Sequence, residues 1–267
     1  MRILVQTICW NEEHMLPYFL RHYEHIAEKI IVYDNYSTDF SPVIADSHPK
    51  TELRFFDTDD TAHEGREVAV KEKAIENGRD YDWVITCDMD EFIWHPRLFS
   101  VLHKYKLAGI TVPTSSYYHM VADEFPRTPF QIYNEVTRGF RGINKNVIFD
   151  PSGVDRINYS PGCHYCSPTG SNTTFGPIAG TWIGDKYFGG SRDGLKLFHM
   201  RLLGLQWMTE RFQDIAERKS EYDKERDFGK QYFLTEKKLG KIFGECRTAS
   251  RNVFGRVDGF YPNEYFV

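Results

Sequence analysis

Long apolar runs are missing from this chain of 267 residues. No stretch approaches the ~18 consecutive apolar residues that a membrane-spanning helix needs. The amino-terminal run MRILVQTICW has one arginine and no small-residue cleavage site after it, so it reads as a first strand and not as a signal peptide. A soluble, cytoplasmic protein is the expectation. Cysteine is scarce and odd in number, five in all, which argues against a disulfide framework in a chain of this size. Cys163-His164-Tyr165-Cys166 is a lone C-x-x-C without the second pair that a structural zinc site wants, and it reads as an ordinary loop. Internal repeats and linker-like segments are lacking too, and the composition fits neither a disordered chain, a collagen nor a coiled coil.

What charge there is lies unevenly. Residues 1–100 carry 10 Lys/Arg against 20 Asp/Glu, and residues 101–267 carry 23 against 18, so the net −5 hides an acidic first part and a basic second one. The basic excess concentrates at 230–256, where Lys230, Lys237, Lys238, Lys241, Arg247, Arg251 and Arg256 face only Glu236 and Glu245. Tyr232, Phe233, Phe243 and Phe254 are interleaved with them. Such a segment is either a solvated helical end or a surface for a polyanion, with bases or sugars on the aromatics and cations on phosphates.

The first hundred residues alternate short apolar runs with amphipathic segments. Strands are expected at 3–8, 29–34, 53–57 and 83–88, and helices after Asn11-Glu12-Glu13, from Ser41-Pro42 and over 66–77. That alternation implies a mostly parallel sheet with helices on both faces, and in such sheets ligands bind beyond the carboxyl ends of the strands. Asp34, Asp57 and Asp88 each follow a predicted strand directly, which puts them on that edge. Further on, strands are expected at 108–113, 144–150 and 195–200, a long helix at 203–226, and an irregular stretch at 151–194 long enough to be functional.

The sharpest feature is WVITCDMDEFIW at 83–94, an unbroken apolar run ending in Asp88, Asp90 and Glu91. Three carboxylates so close at the end of a buried strand repel one another, so either water solvates them or a cation belongs there. Mg²⁺ or Mn²⁺ needs only one or two protein carboxylates when a substrate diphosphate completes its octahedron. Two enzyme classes place D-x-D in this way. A phosphohydrolase of the haloacid dehalogenase type has D-x-D-x-[TV] near its amino terminus; here the fifth position is Phe92 and the strand is the fourth. A nucleotide-sugar transferase, with the motif after several strands, fits better.

The chain resembles glycosyltransferases of the GT-A fold, family 2-like. The likeness lies in Cys9-Trp10-Asn11-Glu12-Glu13, Val32-Tyr33-Asp34-Asn35-Tyr36-Ser37-Thr38-Asp39 and Asp88-Met89-Asp90-Glu91-Phe92. It continues in Ser160-Pro161-Gly162-Cys163-His164, Leu195-Lys196-Leu197-Phe198-His199 and Leu203-Gly204. The resemblance implies a Rossmann-like nucleotide-binding sheet with helices on both faces. Its catalytic domain would span 1–200, the nucleotide-sugar half about 1–105 and the acceptor half about 106–200, with a helical carboxyl-terminal extension over 201–267. It implies Trp10 packing on the base, Glu12 in the nucleotide site, Asp34 hydrogen-bonding the base and Arg201 meeting the diphosphate. Asp88, Asp90 and His199 would hold Mn²⁺ or Mg²⁺.

An inverting transfer also needs a base for the acceptor hydroxyl. Asp123 or Glu124 in MVADEFP is expected to serve, with His164 as an acceptor contact, although the family's Glu-Asp and Q-x-x-R-W motifs are absent and Gln206-Trp207 only echoes the latter. The donor expected is a UDP-sugar. The acceptor expected is a saccharide or glycoconjugate, or a hydroxylated base in DNA held through 230–256 and flipped out to be reached. A phosphohydrolase, or a saccharide-binding module without catalysis, are the alternatives.

Overall fold

The computed structural model describes residues 1–127, 132–160, 162, 165–176, 181–183, 186–188 and 194–254; Cys163, His164 and the last two positions of the 230–256 segment lie outside them. In chain order the strands are β1 Ile3–Cys9, β2 Lys29–Asp34, β3 Thr51–Phe55, β4 Trp83–Thr86, β5 Glu91–Trp94, β6 Val112–Pro113 and β7 Ser116–Ala122. They continue with β8 Arg138–Arg141, β9 Ile148–Phe149, β10 Phe175–Gly176, β11 Thr181–Ile183, β12 Lys186–Phe188, β13 Lys196–Leu203 and β14 Arg251–Asn252.

The first sheet has the order β3-β2-β1-β4-β9, its first four strands parallel and β9 antiparallel at the edge. The α/β class expected from the sequence is therefore the one observed, and the apolar runs show why. Successive side chains of a strand point to opposite faces, so a strand covered on both sides must be apolar at every position. Ile3, Val5, Ile30, Val32, Trp83 and Ile85 enter one core with the helices Leu16–Tyr23 and Leu98–Leu107. Leu4, Ile31, Tyr33 and Val84 enter a second core with Val70, Ala74 and Ile75.

Three departures from the expected elements bear on the site. The helix expected over 66–77 is two, Glu64–Glu72 and Ala74–Asn77. The buried Gln6 explains the break: its Nε2 donates to the carbonyls of Val70 (2.9 Å) and Lys71 (3.2 Å), and its Oε1 accepts from Asn77 (2.6 Å). Carbonyls at a helix end need outside donors, and Gln6 supplies one from β1. The helix expected over 203–226 is likewise two, Leu205–Arg218 and Glu221–Lys224. Between them Lys219 turns extended (φ −55°, ψ 124°), and Ala62 bonds across the break, donating to the Arg218 carbonyl (2.8 Å) and accepting from the Ser220 amide (3.1 Å). Lastly, Glu91–Trp94 is a strand in its own right.

That strand belongs to a second sheet, in the order β14-β8-β7-β13-β5, where β13 lies parallel to β7 and antiparallel to β5. β13 runs straight through residue 200, where the sequence suggested a boundary. Helices Leu205–Arg218 and Glu236–Ala249 cover this sheet, burying Met208, Phe212, Leu239 and Phe243 against Val121 and Leu202. The aromatics of the basic segment are therefore mostly committed inward. Phe243 is buried, Phe254 packs on Trp94 (5.2 Å) and Phe198 (5.1 Å), and Phe233 is exposed. Among the described residues no helix is long and apolar enough to cross a membrane.

One buried group ties this fold to pH. His22, on the first helix, donates from Nε2 to the Ile93 carbonyl (2.8 Å) and accepts at Nδ1 from the Tyr133 hydroxyl, so the neutral ring is fully satisfied. Burial lowers its pKa to about 4 from an ordinary 6.5. The unfolded chain thus takes up the proton first, and the stability is complete above about pH 6.5 and lost as pH falls toward 4. The expected loss between pH 7 and pH 4 from this group alone is about 3 kcal/mol. Urea denaturation of the wild type and His22→Asn at pH 7, 5 and 4 measures it; equal acid slopes for the two would refute the assignment.

Candidate active site

The carboxyl ends of β1, β2, β3 and β4 release the chain at one edge of the first sheet. Trp10, Asn35, Phe56 and Asp88, which follow those ends within two residues, all line one cleft of ≈ 410 Å³. The second sheet closes another side of it. The β5–β13 register sets His199 beside Glu91, and the β13–β7 register sets it beside His119. Arg201 follows two residues on, and helix Leu205–Arg218 supplies Arg211 and Arg218.

The three clustered carboxylates do meet cations, and these are the chain's own. Asp88 Oδ1 accepts from Lys71 Nζ, and its Oδ2 lies 4.0 Å from Lys145 Nζ. Lys145 donates to Glu91 Oε1 (2.6 Å) and to the Gly162 carbonyl (2.8 Å), with 2 % and 1 % of the Lys145 and Glu91 side chains exposed. Asp90 Oδ2 lies 3.2 Å from His199 Nε2 and 3.4 Å from Arg211. Burial pushes the Asp88 carboxyl up, but Lys71 and Lys145 outweigh it and hold it below its ordinary value. Burial likewise opposes ionisation of Asp90, and His199 and Arg211 prevail there, holding it well below the carboxylate range. The Tyr117 hydroxyl meets His199 Nδ1 and fixes the ring.

Beside this cluster lies a flatter subsite. The Arg218 guanidinium stacks 3.6 Å above the Trp10 ring and donates to Asn35 Oδ1 (2.9 Å). Glu12 is gripped at both oxygens by Arg211, each contact 2.6 Å. Burial pushes the Glu12 carboxyl up to about 7 against that pull.

The cleft brings together Trp10, Glu12, Asp88, Asp90, His199 and Arg201, six of the ten site residues expected from the sequence, and Lys230 and Tyr232 of the basic segment also line it. It does not gather the other four. Asp34 is fully buried and both its oxygens accept from Ser37, the amide and the hydroxyl, each at 2.7 Å. It shapes the turn after β2 and leaves the cleft to Asn35. Asp123 and Glu124 lie in a separate groove, 61 % and 68 % exposed and paired with Arg247 and Arg127. Asp123 stands four residues beyond His119, about 13 Å along the strand direction. Neither acid is therefore placed to act in the cleft. His164 is outside the described residues. Sequence reading missed Lys71, Lys145, Arg211 and Arg218; only Lys71 left a local trace, the helical spacing from Glu64 and Glu67.

Could a divalent ion sit here? Among the described residues no group of three His, Cys, Asp or Glu side chains stands close enough to hold one. A site of two protein ligands is a different matter. Adjacent ligands of an octahedral ion at ~2.1 Å lie about 3.0 Å apart, and Asp90 Oδ2 and His199 Nε2 are 3.2 Å apart. With Tyr117 at Nδ1, Nε2 faces Asp90 Oδ2, and a metal between the two would take the place of that contact. This pair fits an ion whose remaining ligands come from substrate and water. A second observation points to an anion as ligand. Arg201 is stacked on Phe212 (4.6 Å) and Tyr232 (5.4 Å), and its buried Nη2 has no hydrogen-bond acceptor among the described residues.

Comparison with known proteins gives little beyond this. No family model matches the sequence, and no curated protein does. Among solved structures the chain is similar to glucosyl-3-phosphoglycerate synthase from Mycobacterium tuberculosis in complex with Mn²⁺, UDP and glucosyl-3-phosphoglycerate. The two are 20 % identical over 43 % of this chain and 44 % of that one, with a TM-score of 0.32. The same synthase with Mg²⁺ and UDP matches at 20 % identity over 43 % of each chain, TM-score 0.32. A mycobacterial protein matches at 16 % identity over 44 % of this chain and 41 % of that one, TM-score 0.32. In each case the match spans less than half the length of the solved protein.

Proposed function

We propose that this protein is a glycosyltransferase, moving a sugar from a nucleoside-diphosphate donor, UDP-linked by preference, to the hydroxyl of a saccharide or glycoconjugate. The observation that carries the reading is the unpartnered, buried Arg201 Nη2 in the same cleft as the Asp90–His199 pair and the Trp10 ring. A diphosphate is the anion that would answer Arg201 while sharing a cation with Asp90, and a nucleobase is the flat group that would stack on Trp10 in place of, or opposite, the Arg218 guanidinium that covers it. Asp90 and His199 would hold Mn²⁺ or Mg²⁺, which when bound neutralises charge on the leaving diphosphate. Arg201 orients that diphosphate, and the apolar walls at Ile8, Phe56 and Phe212 keep bulk water from it. The solved synthases with UDP and either metal agree with this donor class but lend it no weight of their own. A saccharide acceptor is preferred to a base in DNA because the aromatics at 230–256 pack mostly inward.

Calorimetric titration of UDP, GDP and CDP with Mn²⁺, then with EDTA, tests the reading. UDP binding that needs Mn²⁺ is expected. Arg201→Ala is expected to weaken it by roughly 10- to 100-fold, the worth of one or two charge-assisted hydrogen bonds. A folded wild-type protein that binds no nucleotide with Mn²⁺ present would overturn the proposal.

A further inference from the structure

Five acids line the cleft: Glu12, Glu64, Glu67, Asp88 and Asp90. Four of them are held. Glu12 is gripped by Arg211, Asp88 by Lys71, and Asp90 by His199 and Arg211. Glu64 meets Lys219 (3.3 Å) and accepts from the Gly162 amide (3.1 Å). The Glu67 carboxylate alone of the five makes no hydrogen bond or ion pair with any described residue; its backbone amide donates to the His63 carbonyl (3.0 Å). Its position is nevertheless fixed. Glu64, Glu67 and Lys71 stand at i, i+3 and i+7 on helix Glu64–Glu72, so they share a face, with neighbouring Cβ atoms about 5–6 Å apart. Both neighbours on that face are anchored, Glu64 to Gly162 and Lys71 to Asp88, which pins the helix face that carries Glu67 against the cleft wall.

We propose that Glu67 is the general base of the transfer, taking the proton of the acceptor hydroxyl; this rests on the transferase reading above. A carboxylate locked between cations is a poor proton acceptor, whereas the Glu67 carboxylate is uncommitted among the described residues, within the cleft and partly open to it. In the step, the acceptor oxygen bonds to the anomeric carbon. The bond from that carbon to the diphosphate oxygen breaks, its electron pair leaves with the diphosphate, and the acceptor's proton ends on a Glu67 oxygen. A single displacement of this kind inverts the anomeric centre. The electrostatic setting agrees. Burial and the like charge of Glu64 push the Glu67 carboxyl up to about 7, with Asp88 adding to the rise and Lys71 and Lys219 opposing it. A base with a pKa near the working pH is the efficient one. Glu67 thereby replaces Asp123 and Glu124, which lie in the other groove.

The test uses UDP-glucose with Mn²⁺ and two acceptors, water and azide. Water must lose a proton on attack; azide has none to lose. Glu67→Gln is expected to slow release of UDP with water by about 100-fold or more, while UDP affinity and azide-driven consumption stay within about threefold of wild type. Glu67→Asp should restore part of the turnover with water. Turnover of Glu67→Gln with water at the wild-type rate overturns the proposal. So does an equal loss with azide, which marks a residue that only positions sugar or fold. Failure of the wild type to bind UDP in the same buffer is a separate result and removes the transferase reading itself.

Discussion

Asp90→Asn is expected to lower sugar transfer by roughly a thousandfold or more in a chain that still folds, since losing about 4 kcal/mol of charge stabilisation at the leaving group costs that much. The substitution keeps the shape of the side chain and removes the one charge that both His199 and Arg211 face. Fold should survive because each partner has another anchor: His199 meets the Tyr117 hydroxyl, and Arg211 keeps both oxygens of Glu12. The stability cost is about 1–3 kcal/mol, the worth of weakened hydrogen bonds to charged groups. Three measurements separate the effects: UDP-glucose turnover, UDP affinity with Mn²⁺ against EDTA, and the denaturation midpoint. Turnover and the metal-dependent part of UDP affinity should both collapse, and the affinity left in EDTA should match that of the wild type. A folded Asp90→Asn protein that still binds UDP more tightly with Mn²⁺ would show that the cation is held elsewhere.

How much of this was legible in the sequence follows from distance along the chain. The first sheet was readable because its strands declare themselves locally: apolar runs as short as 30–33 or 83–85, rich in β-branched and aromatic residues, read as strands covered on both faces. The acids at the strand ends were readable for the same reason, and the rule that parallel strands aim their carboxyl ends at ligands placed Asp88 and Asp90 correctly at the cleft. Asp123 was expected as a base on the family resemblance and not on this rule; β7, which leads to it, belongs to the second sheet, and its end runs out toward Arg247. Asp34 shows a different failure. Its position at the end of β2 is right, but Ser37 three residues on captures both oxygens, and a strand-end acid followed by serine serves a turn as readily as a ligand.

The cations were invisible because their partners lie far away. Arg211 grips Glu12 across 199 positions, and Lys145 meets Glu91 across 54. Strand β5 was missed on the same ground. Three apolar residues after a carboxylate cluster look like a tail until β13, about a hundred residues later, pairs with them. The puzzle of three adjacent acids therefore had two answers. The chain supplies Lys71 and Lys145 to Asp88 and Glu91, and it leaves the Asp90–His199 pair in a geometry that suits a divalent ion.

That division makes Lys145→Met the substitution with the largest expected effect on stability. The Lys145–Glu91 pair is among the most deeply buried of those around the cleft, with 2 % and 1 % of the two side chains exposed. The ammonium also faces the Tyr117 ring at 5.0 Å and the Gly162 carbonyl at 2.8 Å. Removing the lysine leaves the Glu91 carboxylate buried without its cation, which typically costs about 3–5 kcal/mol, a third or more of the stability of an ordinary domain. For a chain of this length the midpoint of thermal unfolding should fall by about 10 °C. The double variant Lys145→Met with Glu91→Gln takes away both charges and should recover most of that loss, because an apolar and neutral pair of similar volume has no desolvation to offset. Recovery of stability need not restore the site. Glu91 Oε2 accepts from the Asp88 amide at 3.2 Å, so the pair also sets the turn that carries Asp88 and Asp90 into the cleft. If the double variant is as stable as the wild type and binds UDP with Mn²⁺ equally well, the buried pair serves folding alone. If it is stable and binding is lost, the pair positions the carboxylates, and the lysine has been kept for the geometry of the turn it holds.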